Sequence, residues 1–378
     1  MESRVKKYRE SAYDLWIEKE GLPVVRGHGV TDIGQLDLGP WSRLGCSGAY
    51  IQLQGMEGFT GMYVGEIPPG GSLQPERHIY DELIYIVSGR GTTEIWNVDN
   101  QSTPHVFEWQ AGALFAPPLN TWHRFNNLSG AEPARFLAVT TAPMIVDMYH
   151  NFDFVFDCDF VFRDRFDARP DYFNVRDIEA RDSPWGKTWV WETNLIPDVR
   201  GKDVDPIEAK GAGFRGAAYE MSGNVLGGHL AEWPVGRYQK AHYHMGGAIL
   251  LIVRSRGYTI MWPRELGTHP YRDGHGDAVV KVDWQEGSVF SPPTGWFHQH
   301  FNTGDVPARQ VALRLGSRNY EVQFNDGYAG TGPLVSLQGG GTMIEYEDED
   351  PEIQEMFRRD LDASGVSFSM PEVARPAR

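Results

Sequence analysis

The stretch Asp283–Pro293 (DWQEGSVFSPP) decides the fold, because the chain carries a second version of it. Its earlier counterpart is Glu108–Pro118 (EWQAGALFAPP), which repeats the Trp-Gln pair, the Gly, the Phe and the double proline at the same spacing. Similarity of this kind is the signature of a duplicated structural unit. The sequence therefore predicts two related domains in tandem.

Both copies lie among short runs of β-branched and aromatic residues that are separated by Gly and Pro. Leu83–Val87 (LIYIV) and Ile249–Val253 (ILLIV) are examples. Short strands at regular spacing are typical of β-sandwiches and β-barrels. We predict an all-β protein in which short helices flank two tandem barrels.

Five segments follow from this reading. They are an N-terminal helix and arm (1–44), a first β-domain (45–145), a connector that packs across both domains (146–205), a second β-domain (206–320) and a C-terminal extension (321–378). Asp350 and Pro351 predict the start of a helix in the extension. Its apolar face (Ile353, Met356, Phe357 and Leu361) is expected to form a lid or an oligomer contact.

The composition narrows the choice of partners. The 378 residues carry a net charge of −16 and two cysteines. This charge disfavours nucleic acid and anionic membranes as partners, and the sequence contains no apolar run long enough to cross a bilayer. Few cysteines suggest a reducing, cytoplasmic location. We expect a homo-oligomer with a small-molecule substrate.

Three histidines suggest a metal site in the second domain. His242 and His244 alternate with Tyr243, so on a strand both project from one face. His298 follows Pro292-Pro293, and we expect it to approach His242 and His244 from another strand. Imidazoles bind Fe(II), Mn, Zn and Ni, and three protein ligands leave positions open for a substrate or for O2.

The motifs in both halves resemble those of the cupin superfamily, and their duplication resembles a bicupin. In the second half the matching residues are Gly236, His242, His244, Gly287, Pro293, Gly295, His298 and Asn302. In the first half they are Gly70, His78, Glu82, Gly89, Gly112, Pro118, His123 and Asn127. The resemblance implies two antiparallel jelly-roll barrels, each with a metal pocket in its mouth.

Two departures from the cupin pattern distinguish the halves. Glu76 stands where the first histidine of the first motif is expected, which leaves a candidate second metal site of Glu76, His78, Glu82 and His123. Alternatively, Glu76 points outward and caps a turn. Ala248 stands at the glutamate position of the second half, which leaves three histidines and no carboxylate. We expect the second domain to be the catalytic one.

The carboxylate-free second half resembles gentisate 1,2-dioxygenase and its relatives. This resemblance implies Fe(II), O2 and a small hydroxylated aromatic or enolisable carboxylic acid as substrate. His300 would act in acid/base chemistry, or would orient the metal site instead. Arg314 would pair with a substrate carboxylate, or would form a plain surface ion pair.

Two other functions fit the same residues. One is a non-oxidative bicupin, a decarboxylase, hydrolase or isomerase that uses Mn, Zn or Ni. The other is a binding bicupin without turnover.

Overall fold

The computed structural model describes residues 11–56, 58–183, 186–244, 248–316 and 335–373. The elements of the first half, in chain order, are α1 (Ala12–Glu20), β1 (Val24–Gly27), β2 (Gly29–Val30), β3 (Gly39–Trp41), β4 (Cys46–Leu53), β5 (Gly61–Ile67), β6 (Glu82–Ser88), β7 (Arg90–Trp96), β8 (His105–Gln110), β9 (Leu114–Phe115), β10 (Trp122–Asn127), β11 (Ala134–Thr140), α2 (Ala142–Tyr149) and α3 (Phe152–Phe156).

The remaining elements belong to the connector, the second barrel and the extension. They are β12 (Glu179–Ser183), β13 (Gly186–Glu192), β14 (Leu195–Ile196), β15 (Asp205–Pro206), β16 (Arg215–Glu220), β17 (Leu226–Trp233), β18 (Ile249–Arg254), β19 (Gly257–Pro263), β20 (Val280–Trp284), β21 (Val289–Phe290), β22 (Trp296–Asn302), β23 (Ala308–Leu315) and α4 (Pro351–Ser364).

Each barrel is made of one large and one small sheet. In the first barrel the strand orders are β1-β4-β5-β11-β6-β9-β14, with β3 beside β4, and β10-β7-β8. In the second they are β12-β13-β16-β17-β23-β18-β21-β2, with β15 beside β16, and β20-β19-β22. This architecture confirms the prediction of an all-β protein with two tandem barrels.

Strands from the N-terminal arm and from the connector pair with strands of the two barrels. Strand β2 of the N-terminal arm pairs with β21 of the second barrel, and β14 of the connector pairs with β9 of the first. The outer faces of the two large sheets also pack on each other. Leu137 and Val139 of the first barrel share one buried cluster with Val311 and Leu313 of the second.

Helix α4 begins as the sequence predicts but packs differently. The Asp350 carboxylate accepts the N–H of Glu352 at 3.1 Å, and Pro351 takes the first helical position. The apolar face is buried, with at most 1% exposure, at Ile353, Phe357 and Leu361. It packs against Tyr258 and Phe301 on the outer face of the small sheet. The expectation of a lid or an oligomer contact is therefore wrong, because the barrel itself supplies the apolar partner.

None of the helices in the described part of the chain has the length and apolar character needed to span a bilayer.

Candidate metal centres

The second barrel brings His242, His244 and His298 together. One ring nitrogen from each lies within 4.8 Å of the others. The backbone N–H of His242 donates to the carbonyl of His298 at 3.1 Å, and the reverse bond measures 2.9 Å. This antiparallel bridge fixes the spacing of two rings, and His244, two residues after His242, brings the third ring to the same cluster.

Backbone hydrogen bonds set the tautomer of two of these rings. The Nδ1 of His242 lies 3.2 Å from the carbonyl oxygen of Lys240, and the Nδ1 of His298 lies 3.1 Å from that of Trp296. Because a carbonyl only accepts, Nδ1 carries the proton and Nε2 keeps its lone pair. Histidines that ligate metals are held in this way. The residues present therefore fit a divalent metal ion.

Burial keeps these imidazoles neutral. It lowers the pKa of His298 to about 4. Burial, together with the charges of His298 and Lys210, holds the pKa of His242 well below its usual range. Desolvation disfavours the charged form of an imidazole. A metal ion would therefore meet little competition from protons at neutral pH.

A segment of the C-terminal extension supports the segment that carries His242 and His244. Tyr243 donates its backbone N–H to Thr342 at 3.2 Å, and Ile344 donates to Ala241 at 2.8 Å. Met343 thereby forms an antiparallel bridge with His242. No sequence motif marks residues 342–344, so the sequence analysis missed this support.

His300 lies inside the second barrel beside the cluster, with its ring centroid 5.6 Å from that of His298. Its Nδ1 is 2.8 Å from Oγ1 of Thr259, and the same oxygen accepts the indole N–H of Trp284 at 3.1 Å. These two contacts fix the orientation of the His300 ring, with Nδ1 held by the Thr259 hydroxyl.

Arg314 faces into the second barrel rather than toward the surface. It alternates along β23 with Leu313 and Leu315, which belong to the core between the barrels, and its side chain is half-buried. Lys210, which the sequence analysis missed, lies on the same side and lowers the pKa of both His242 and His300 in addition to the effect of burial. The pairing of Arg314 with a substrate carboxylate stays a prediction.

The first barrel holds a different cluster. A carboxylate oxygen of Glu76 and ring nitrogens of His78 and His123 lie within 4.8 Å of one another. Oε2 of Glu82 lies 3.7 Å from Nε2 of both histidines. All four residues of the candidate second site therefore meet, and Glu76 does not point outward to cap a turn.

Unsatisfied polar atoms mark the centre of this first cluster. Nε2 of His78, Nε2 of His123 and Oε2 of Glu82 are buried without a hydrogen-bond partner. The Nδ1 atoms of His78 and His123 lie 2.8 and 3.1 Å from backbone carbonyls, so both Nε2 atoms keep their lone pairs. Buried polar atoms are rarely left without partners. The arrangement fits a metal ion bound by two imidazoles and one or two carboxylates.

Arg43 and a group of aromatic side chains close this first cluster. Arg43 forms ion pairs with Glu76 and, at 3.1 Å, with Glu20. Burial alone would raise the pKa of Glu76, but Arg43 and the two histidines outweigh it and lower that pKa. The guanidinium lies 5.1 to 5.6 Å from three ring centroids, those of Trp16, Trp41 and Phe156.

The strand registers identify which positions of the two barrels correspond. In the first barrel Thr140 pairs with Gly61 on one side and with Glu82 on the other. In the second barrel Arg314 pairs with Gly227 in the same way. Ala248, the residue before Ile249, therefore stands at the position of Glu82. The corresponding pairs, first barrel before second, are Glu82 and Ala248, Tyr63 and His229, Phe125 and His300, and Thr140 and Arg314. At these four positions the second barrel thus has no acid and has three basic side chains, where the first barrel has one acid and no basic side chain.

Comparison with known proteins supports the fold. Residues 63–140, in the first barrel, match the family described as the cupin domain. The chain has a bicupin fold. A search of the curated proteins gave no match.

Several solved structures are similar to this bicupin. The oxalate decarboxylase of Lactobacillus farciminis, in a formate complex, is 12% identical, with a TM-score of 0.47 and coverage of 76% of this chain and 86% of that chain. A mutant of the Bacillus subtilis oxalate decarboxylase is 12% identical, with a TM-score of 0.48 and coverage of 80% of each chain. Vicilin from hazelnut, Corylus avellana, is 11% identical, with a TM-score of 0.45 and coverage of 76% and 85%. The finer resemblance to gentisate 1,2-dioxygenase stays a prediction.

Proposed function

We propose that this bicupin is a metal-dependent enzyme whose catalytic centre is the three-histidine cluster of the second barrel. One observation carries the proposal, which is the contrast between the two clusters. The first has two carboxylates and is closed by Arg43 and aromatic rings. Among the described residues the second has three histidines and no carboxylate, and Ala248 stands where the first barrel has Glu82.

The ligand sets suit different tasks. Three protein ligands leave positions open on a metal ion, whereas four ligands in a closed site are typical of a structural metal. A divalent ion held by His242, His244 and His298 would supply Lewis-acid activation of an oxygen atom of the substrate. We assign a structural role to the ion that Glu76, His78, Glu82 and His123 would hold.

The residues around the second cluster suit non-oxidative chemistry on a small carboxylic acid. Burial holds His300 neutral and Thr259 fixes its ring through Nδ1, so this imidazole would exchange a proton with an oxygen that gains negative charge. Proton transfer of this kind serves a decarboxylase, an isomerase or a hydrolase and requires no oxidant. Manganese, zinc or nickel would suffice as the metal.

A dioxygenase that uses Fe(II) is the second candidate. The ring of His300 is flanked by Trp233 and Phe290, with centroids 6.2 and 5.8 Å away. These flat apolar side chains would suit the ring of a hydroxybenzoate, and a carboxylate-free histidine cluster would leave positions for both substrate and O2.

The metal and the need for oxygen separate the two candidates. Protein purified without added metal would be analysed for iron, manganese, zinc and nickel, and then assayed with hydroxybenzoates and with small hydroxy, keto and dicarboxylic acids. Turnover without oxygen uptake supports the proposal. Iron together with substrate-dependent oxygen uptake supports the dioxygenase, and stoichiometric metal without any turnover favours a binding protein.

A further inference from the structure

Three basic side chains, which we call the basic wall, line the second barrel beside the histidine cluster. They are Lys210, His229 and Arg314. His229 lies opposite Ala312 on neighbouring strands, and Arg314, two residues further along, faces the same side. The ammonium of Lys210 lies 5.7 Å from the ring centroid of Phe214, which belongs to the buried cluster inside this barrel.

The members of the basic wall act on one another electrostatically. Burial and the charge of Arg314 lower the pKa of Lys210 to about 7. Burial, followed by the charges of Lys210 and Arg314, holds the pKa of His229 well below its usual range. Within the described residues, no carboxylate forms an ion pair with Lys210. A buried ammonium without a carboxylate partner costs free energy that a bound anion would offset.

The first barrel has no counterpart to the basic wall. Tyr63 and Thr140 occupy the positions of His229 and Arg314. Leu44 occupies the position of Lys210. The backbone N–H of Gln74 donates to the carbonyl of Leu44 at 2.8 Å, and the backbone N–H of Lys240 donates in the same way to the carbonyl of Lys210 at 3.1 Å. Three uncharged side chains are thus replaced by three basic ones at corresponding positions. The basic wall is therefore a feature of the second barrel and not of the shared fold.

We propose that the basic wall binds a carboxylate group of the substrate while another oxygen function of the same molecule meets the histidine cluster. The ligand class is a small carboxylic acid with a second oxygen donor, such as a hydroxy, keto or dicarboxylic acid. Lys210 and Arg314 supply the charge, and neutral His229 supplies a hydrogen bond. Only the role of the histidine cluster in this pairing rests on the proposed function.

The test measures binding rather than turnover. Calorimetric titrations of the metal-loaded protein would use malonate, lactate and pyruvate as probes, with uncharged malonamide for comparison. Lys210→Met and Arg314→Met should each weaken binding of the acids about 10- to 100-fold, since each removes a charge-assisted hydrogen bond. Lys281→Met is the matched control, because Lys281 pairs with Asp360 on the outside of the same barrel. It should leave binding unchanged.

Metal content, measured for each variant, separates this inference from the proposed function. Weaker binding of the acids with unchanged metal content supports the basic wall. Wild-type affinity in both variants, equal binding of malonamide, or no binding of any acid at millimolar concentration overturns it. In His298→Ala, which removes a metal ligand, Lys210→Met should still weaken the residual binding of malonate. That result would support carboxylate binding by the basic wall even if the metal centre proved not to be catalytic.

Discussion

Oγ1 of Thr259 lies between two rings, 2.8 Å from Nδ1 of His300 and 3.1 Å from Nε1 of Trp284. The hydroxyl accepts the indole N–H and also holds Nδ1 of His300, so it fixes the orientation of that ring. The first barrel keeps the same bond between Trp109 and Thr93, at 3.0 Å, but has Phe125 in place of the histidine. The duplicated barrel thus provides its own control.

Thr259→Val should lower kcat about 10-fold, because a hydrogen bond of ordinary strength no longer holds the His300 ring in place. Metal content should not change. The matched variant Thr93→Val loses the equivalent indole bond but no histidine contact, so its kcat should equal that of the wild type. Equal kcat values for Thr259→Val and the wild type would remove His300 from the mechanism.

Glu82→Gln tests the structural role assigned to the first cluster. The amide oxygen can still accept from the Tyr63 hydroxyl, which donates to Glu82 at 2.6 Å, but the charge for a metal ion is lost. We expect loss of one metal ion per chain and a fall in the free energy of unfolding of about 3 kcal/mol. The kcat should equal that of the wild type. Steady-state kinetics measures the kcat, and urea unfolding measures the stability. A large loss of kcat with normal stability would place the chemistry in the first barrel.

Protein stripped of metal should lose stability as the pH falls from about 6.5 to about 4. In the folded chain the pKa of His298 is lowered from 6.5 to about 4, so the unfolded state binds more protons in this interval. The stabilisation that neutral His298 contributes is complete above the pKa of the unfolded state. It is lost as the pH falls toward the pKa of the folded state. The loss from this ring alone is about 3 kcal/mol.

Urea unfolding at about pH 7 and about pH 5 measures this dependence. His298→Gln should show a smaller difference between the two values, because Gln does not titrate. An identical difference in both proteins would show that His298 is not the group responsible.

Phe357→Ala should lower the free energy of unfolding by about 3 to 5 kcal/mol, because it leaves a cavity beneath α4. Phe357 is fully buried against the outer face of the second barrel. The association state and KM should stay unchanged, as measured by light scattering and steady-state kinetics. A change in either at normal stability would restore the interpretation of α4 as an oligomer contact or a lid.

The sequence was most informative where function depends on close spacing along the chain. His242 and His244 are two residues apart, and the double proline and Gly295 lead directly to His298, so motif spacing sufficed to group them. The strands Leu83–Val87 and Ile249–Val253 were likewise marked by their own residues.

The missed features depend on distant contacts. Lys210 reaches the cluster from a short helix before β16, and Met343 joins His242 from the C-terminal extension. Neither carries a motif, because tertiary packing alone brings it to the site. The orientation of Glu76 was open for the same reason, since Arg43 and the two histidines of the first cluster determine it.

Metal content and turnover of His298→Ala, purified in parallel with the wild type, test the central claim most directly. The variant loses one of the three imidazoles that converge in the second barrel. We predict loss of one metal ion per chain and loss of turnover by at least about 100-fold, because the metal supplies several kcal/mol of activation. Turnover at the wild-type rate, with or without a change in metal content, would contradict the assignment of this cluster as the catalytic centre.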